Sequence, residues 1–98
     1  MTMEQLLQAV AKKVEKAHDL RSKVLFVLDG DKYIHVDASQ RPATISTEQK
    51  PADCTIRTSL QTFTEILLGK TSATMAYMFG KIKIEGNMGV AMAISRIL

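Results

Sequence analysis

From residue 81 to 85 charged and apolar positions alternate, with Lys81, Lys83 and Glu85 set against Ile82 and Ile84. That two-residue period predicts a strand with one buried face. Gly86 breaks the strand, and Asn87 is placed to cap a helix running from Met88 to Leu98. Only Ser95 and Arg96 in that helix are clearly polar. A helix apolar on nearly every side has no face for water and has to be surrounded. The other end of the chain follows the helical period. Met3, Leu6, Leu7, Val10, Val14 and Ala17 predict an amphipathic helix from Met3 to about Leu20, with Glu4, Gln8, Lys12, Lys13, Glu15, Lys16 and Asp19 turned away. Thr2 and Gln5 form a capping box at its start. Its polar face mixes both charge signs, which favours packing on a sheet over lying on a membrane.

Between these ends, Val24–Leu28 is a run of apolar residues closed by the hairpin signal Asp29-Gly30. Lys32–Asp37 follows as its partner strand, with Ile34 and Val36 inward. Arg41–Ile45, opened by Pro42, is a short third strand, and the polar stretch to Ala52 with Pro51 is a loop. Cys54–Thr58 is a fourth strand with Cys54 and Ile56 inward. Ser59 caps a helix through Leu68, in which Leu60, Phe63, Ile66 and Leu67 share a face and Gly69 is the stop. Ser72 caps a short helix that offers Met75, Met78 and Phe79 to one side. This order predicts a single α+β domain over residues 1–98, a five-stranded mainly antiparallel sheet with its helices packed on one face.

In such a sheet Leu25 and Val27 are expected to face the helices together with Ile34, Val36, Ile56, Ile82 and Ile84. Val24, Phe26 and Leu28 then fall on the open face beside Tyr33. An apolar cluster there predicts an interface, a two-fold homodimer packed sheet to sheet. The alternative is a patch shielded by the stems of Arg57 and Lys83.

Composition narrows the function classes. The 98 residues suffice for one core and not two, and the 46% apolar content is ordinary for a globular chain. A net charge of +3 is spread along the sequence, without the clustered cations and stacking aromatics of a nucleic-acid surface. A lone Cys54 cannot form an internal disulfide and fits a reducing compartment. With no leader and no membrane-length apolar run, the chain reads as soluble and intracellular.

Candidate chemistry is sparse. His18 and His35 have no partner at metal-ligand spacing and read as surface or half-buried side chains. Cys54 reads as a buried structural thiol. Asp29, Asp31 and Asp37 lack calcium-loop spacing, and Gly80, Gly86 and Gly89 lack that of a phosphate loop. No nucleophile with a base can be assembled, so neither an enzyme nor a cofactor is expected. Met75, Met78, Met88 and Met92 crowd the last quarter. They serve either as adaptable core filler or as the lining of an apolar cavity, and the pattern leaves both open.

Three stretches bear on that choice. Ala52-Asp53-Cys54-Thr55-Ile56, the helix end Leu68-Gly69-Lys70, and the block from Phe79-Gly80-Lys81 through Gly86-Asn87-Met88 to Ala91-Met92 resemble, in this order, the sterol carrier protein type-2 family. Leu25 to Gly30 and Tyr33 to Val36 meet its weaker hairpin pattern. The resemblance implies helices on one face of a five-stranded sheet and, between them, an apolar tunnel for a long-chain fatty acid, acyl-CoA or sterol. On it, Leu67, Met75, Met78, Phe79, Ile82, Ile84, Met88 and Met92 are expected to touch the ligand. It also implies no cofactor, no catalytic residue and at most transient membrane contact. Such modules act as stand-alone carriers or as appended domains of lipid-metabolising enzymes, where a protein partner could replace a vestigial cavity. The family's peroxisomal members end in a targeting tail. Here the last residues are Arg96-Ile97-Leu98, so a cytoplasmic carrier with a less covered tunnel mouth is expected.

Overall fold

The computed structural model describes residues 2–17 and 20–98. His18 and Asp19, which the helical pattern includes, lie outside the described residues. Helix α1 spans Met3–Glu15, with the Thr2/Gln5 capping box in place. It is followed by β1 (Lys23–Leu28), β2 (Lys32–Asp37), β3 (Thr44–Ser46) and β4 (Cys54–Thr58). Then come α2 (Leu60–Leu67), α3 (Ala73–Met78), β5 (Lys83–Gly86) and α4 (Met88–Ile97). Ser59, Ser72 and Asn87 cap their helices as predicted, each accepting from the backbone N–H three residues on.

Three elements differ from the expected bounds. Helix α1 stops before the predicted Leu20, and the guanidinium of Arg41 donates to the carbonyls of Ala17 and Leu20 at 2.6 and 2.7 Å. Those carbonyls are thus satisfied without further helix. Strand β3 starts at Thr44 rather than Arg41. Strand β5 starts at Lys83 rather than Lys81, because the Lys81 carbonyl accepts from Thr58 Oγ1 at 2.8 Å instead of joining a ladder.

The sheet order is β3-β2-β1-β4-β5. All neighbours are antiparallel except the central pair β1 and β4, which run parallel. The sheet is therefore mixed, antiparallel in three of its four pairings. A parallel pair needs a crossover, and here the connection from β3 to β4 passes the open face, where the Pro51 carbonyl meets His35 Nε2 at 3.0 Å. His35 is consequently buried, 4% exposed, and neither a surface nor a half-buried side chain.

The face assignment of β1 is corrected. A two-residue turn at Asp29-Gly30 would set Leu25 opposite Ile34. The observed loop contains Asp29, Gly30 and Asp31, so Leu28 pairs with Lys32 and Phe26 pairs with Ile34. Asp29 and Gly30 both take positive φ, 55° and 78°. One residue of slip turns every side chain of a strand to its other face. Val24, Phe26 and Leu28 therefore enter the core beneath the helices, each 0% exposed, and cannot form the sheet-to-sheet interface that the pattern suggested. Leu25 and Val27 take the open face, with Tyr33 opposite Val27 and half-buried as the outward residue expected. Leu25 and Val27 are still only 6% and 2% exposed. They stand in register beside His35, Thr55 and Arg57, and Arg57 Nε is held by Glu85 at 3.0 Å.

Phe26 also pairs with Ile56, and Ile56 with Ile84. One apolar row, Ile34–Phe26–Ile56–Ile84, thus crosses four strands on the helix side. The end of the sheet where β1 and β4 begin and β5 finishes is fixed by Asp53. Its carboxylate accepts from Lys23 N–H, and its carbonyl accepts from Asn87 N–H, each at 2.9 Å.

Gly86 lies against that carbonyl: a Cβ built there would stand 2.6 Å from Asp53 O, at a φ of 96°. Gly80 also has positive φ, but open space around it. Gly86→Ala is expected to lower stability by about 2–4 kcal/mol, and Gly80→Ala by only about 1 kcal/mol, since the first adds a backbone clash to conformational strain. Urea unfolding of the two variants checks this; equal losses would mean that the approach to Asp53 is unimportant.

Candidate functional site

The helix side of the sheet is not filled to its edge. Between α2, α3, α4 and strands β1, β4 and β5 lies an apolar pocket of about 320 Å³. Its floor is the inner row, Phe26, Ile56 and Ile84. Phe63 and Ile66 of α2 form one wall, with the Phe63 ring 5.0 Å from that of Phe26 in a tilted pair. Ala73, Thr74 and Tyr77 of α3 form a second. Met88, Ala91, Met92 and Ser95 of α4, with Arg96 and Leu98, close the rest.

Helix α4 lies across this opening because of how its cap and its period act together. Asn87 Oδ1 takes the Val90 N–H, Ala91 and Ile94 pack into the core, and Met88 and Met92 are left on the rim, half in the pocket and half in solvent. The helix apolar on nearly every side is thus explained: one side meets the sheet and another meets the pocket.

Two hydroxyls of the lining are already engaged. Thr58 Oγ1 donates to Lys81 O, and Ser95 Oγ donates to Ala91 O at 2.9 Å. Arg96 is the charged side chain in the lining. Among the described residues no group of three or more His, Cys, Asp or Glu side chains could hold a metal ion. The chemistry available inside is burial of apolar surface, with a cation at one end.

Of the residues the sequence singled out, Ile82, Ile84, Met88 and Met92 line this pocket, and Leu67, Met75, Met78 and Phe79 do not. Leu67 is part of the core proper. The residues of α3 are rotated from expectation. Ala76 is its buried residue, Tyr77 reaches the pocket, and Met78 and Phe79 are 73% and 71% exposed. Helix α3 packs on the core through Ala73 and Ala76, and its bulky methionines point out. Phe26 was missed because of the hairpin register. Phe63 and Ile66 were legible as an apolar helix face, but nothing in the period assigned them to a cavity. For Tyr77 the sequence holds no such signal.

Cys54 lies in the core on the inner face of β4, as expected. Burial pushes its thiol pKa up, and the neighbouring Asp53 carboxylate adds to the shift.

A helix-capped sheet with an apolar pocket of this kind is the frame of a small lipid-binding domain, and sequence comparison shows which one. Residues 3–98 match the SCP-2 sterol transfer family, and the chain belongs to it. Sterol carrier protein 2 of Homo sapiens is 42% identical over 48 residues, a match covering 49% of this chain and 9% of that protein. The matched segment is thus a small part of its curated relative. Among the solved structures that share the fold are two of different kinds. Palmitated SCP2L2 from Aedes aegypti superposes with a TM-score of 0.74 at 16% identity, covering 99% of this chain and 94% of that one. The sec-alkylsulfatase Pisa1 from Pseudomonas sp. has a TM-score of 0.76 at 18% identity, covering all of this chain and 16% of that one.

A thiol kept protonated and buried is expected to react with a charged disulfide reagent at least ~10-fold more slowly in the native protein than in urea. Equal rates at neutral pH would show that the Cys54 site opens readily.

Proposed function

We propose that this protein is a non-catalytic intracellular lipid carrier that holds a long-chain fatty acid, acyl-CoA or sterol-like ligand in the pocket between the sheet and helices α2, α3 and α4. The observation that carries this reading is the pocket itself. It is floored by the apolar row of the sheet, and its rim is formed by Met88 and Met92. At about 320 Å³ it lies near the lower end of small-molecule sites, which run from about 300 to 1,000 Å³. A flexible chain entering from the α4 side fills such a space better than a rigid fused ring. The palmitated insect relative supports an acyl chain as the ligand. A free buried thiol is consistent with a reducing compartment.

A second reading, as an accessory module of a lipid-metabolising enzyme, draws on a separate observation. Leu68, Met75, Met78 and Phe79 are large apolar side chains left in solvent, a surface that a protein partner could cover. The same fold forms a minor part of the sulfatase chain. Native mass spectrometry separates the two: co-purified lipid supports the carrier, and protein that is empty and takes up none when offered it supports the module.

Displacement of a fluorescent fatty acid by acids of rising length should show affinity growing several-fold per methylene, at about 0.8 kcal/mol each, until the pocket is full. Met88→Glu sets a carboxylate in the lining at a half-exposed position and should cost at least about tenfold in affinity, roughly 1.4 kcal/mol. Phe79→Glu, on the outward side of α3, should leave binding unchanged. Flat binding across the series, or equal losses in the two variants, would remove the pocket from consideration.

A further inference from the structure

The apolar pocket has an adaptable end and a rigid end. At its mouth Met88, Met92 and Tyr77 stand about half in solvent. At the other extreme of the lining Phe26, Phe63 and Ile94 are fully buried, with Ile66 and Ala91 buried beside them. A lining that passes from exposed to fully buried side chains describes a blind pocket, open at the methionines and closed at the two phenylalanines.

The closed end is held from both sides. Phe26 stands within the inner row of the sheet, in register with Ile34 on β2 and Ile56 on β4. Phe63 closes the first turn of α2, its N–H donating to Ser59 O at 3.0 Å. The start of that helix is fixed twice more, since Ser59 Oγ accepts from Thr62 N–H and Asp29 Oδ1 accepts from Leu60 N–H. The two rings meet at 5.0 Å with an interplanar angle of 49°. A pair of this kind in a close-packed interior cannot retreat without straining its neighbours. Methionines at the mouth can adapt. The side chains of the closed end are all apolar, so a polar head placed there would lose its water and find no partner. A lipid therefore enters methyl first.

We propose that Phe26 and Phe63 together form the chain-length stop of the pocket, and that Phe63 sets the longest acyl chain that is fully held. The proposal rests on the carrier reading and adds the residue that selects among its ligands. Methylenes in excess of that length stay in water at the mouth. Affinity then climbs about fourfold per methylene and levels off at a definite length.

The test measures saturated fatty acids from octanoate to arachidate, each below its micelle concentration, on the wild type, Phe63→Ala, Phe63→Leu and Met92→Leu. A large-to-small change in a packed interior leaves an apolar cavity that can take a ligand the size of benzene. Phe63→Ala should therefore move the break to chains longer by about two to four methylenes, and Phe63→Leu by about one. Met92→Leu, at the mouth, should leave the break at its wild-type length. Melting temperatures check folding; if Phe63→Ala does not fold, Phe63→Leu, the milder change, decides. A further measurement needs no variant: palmitate isotope-labelled at its terminal methyl should give nuclear Overhauser contacts to the Phe26 and Phe63 rings. A break that stays in place in the folded Phe63 variants, or one that moves equally in Met92→Leu, overturns the stop and leaves the carrier reading standing. So does a terminal methyl remote from both rings, or an affinity that rises through arachidate without a break. If no acid binds at any length, the carrier reading fails and the stop with it.

Discussion

The row Ile34–Phe26–Ile56–Ile84 runs across four strands, and the remaining architecture is arranged on it. It forms only because the β1–β2 hairpin closes through Asp29, Gly30 and Asp31. The loop holds its register through more than its own backbone. Asp29 N–H donates to Thr58 O at the end of β4, and Asp29 Oδ1 accepts from Leu60 N–H at the start of α2 at 2.9 Å. One aspartate in a left-handed conformation thus couples the hairpin, the central parallel pair and the helix that supplies Phe63. A slip at this loop would turn Phe26 to the other face of the sheet, and α2 and α4 would lose the surface they cover.

β1 is buried on both faces. Beneath it are the helices, and on the open side the crossover to β4 and the neighbouring side chains cover Leu25 and Val27. This explains an uninterrupted apolar strand in a mainly antiparallel sheet, where alternation is the usual pattern. Its immediate partner β4 is parallel, and a central strand with a parallel neighbour behaves like those of α/β sheets. The cost is polar: His35 is drawn into a nearly dry site, where its Nε2 meets the Pro51 carbonyl.

The pocket exists because helix cover at one end of the sheet is thin. Helix α3 buries one residue of six, and α4 presents methionines at the rim instead of sealing side chains. Methionine is suited to this place, since its unbranched thioether adapts to an irregular opening. At the end of α4 the apolar lining reaches Arg96, which also borders a separate depression lined by Lys12, Lys13 and Lys16 of α1. That neighbourhood joins side chains of α1 and α4, two elements at opposite ends of the chain.

Much of this was legible in the amino-acid sequence. The caps at Thr2, Ser59, Ser72 and Asn87, the helical stripe of α1, the inward residues of β2 and β4 and the two-sided apolar character of α4 follow from local hydrogen bonding and period, which act over a few residues. The block from Gly80 to Met92 placed the chain in its family and put Ile82, Ile84, Met88 and Met92 near the site. What required the tertiary structure were choices in which two local readings have nearly equal energy. A hairpin loop of two or three residues satisfies the same Asp-Gly signal, and only the fit of Phe26 beneath α2 decides between them. A short helix such as α3 can turn its alanines or its methionines inward, and the close approach of neighbouring elements decides that. Period and capping are properties of a segment, so the sequence alone determined them. Facing and enclosure depend on what stands opposite, and that is settled only when distant parts of the chain meet.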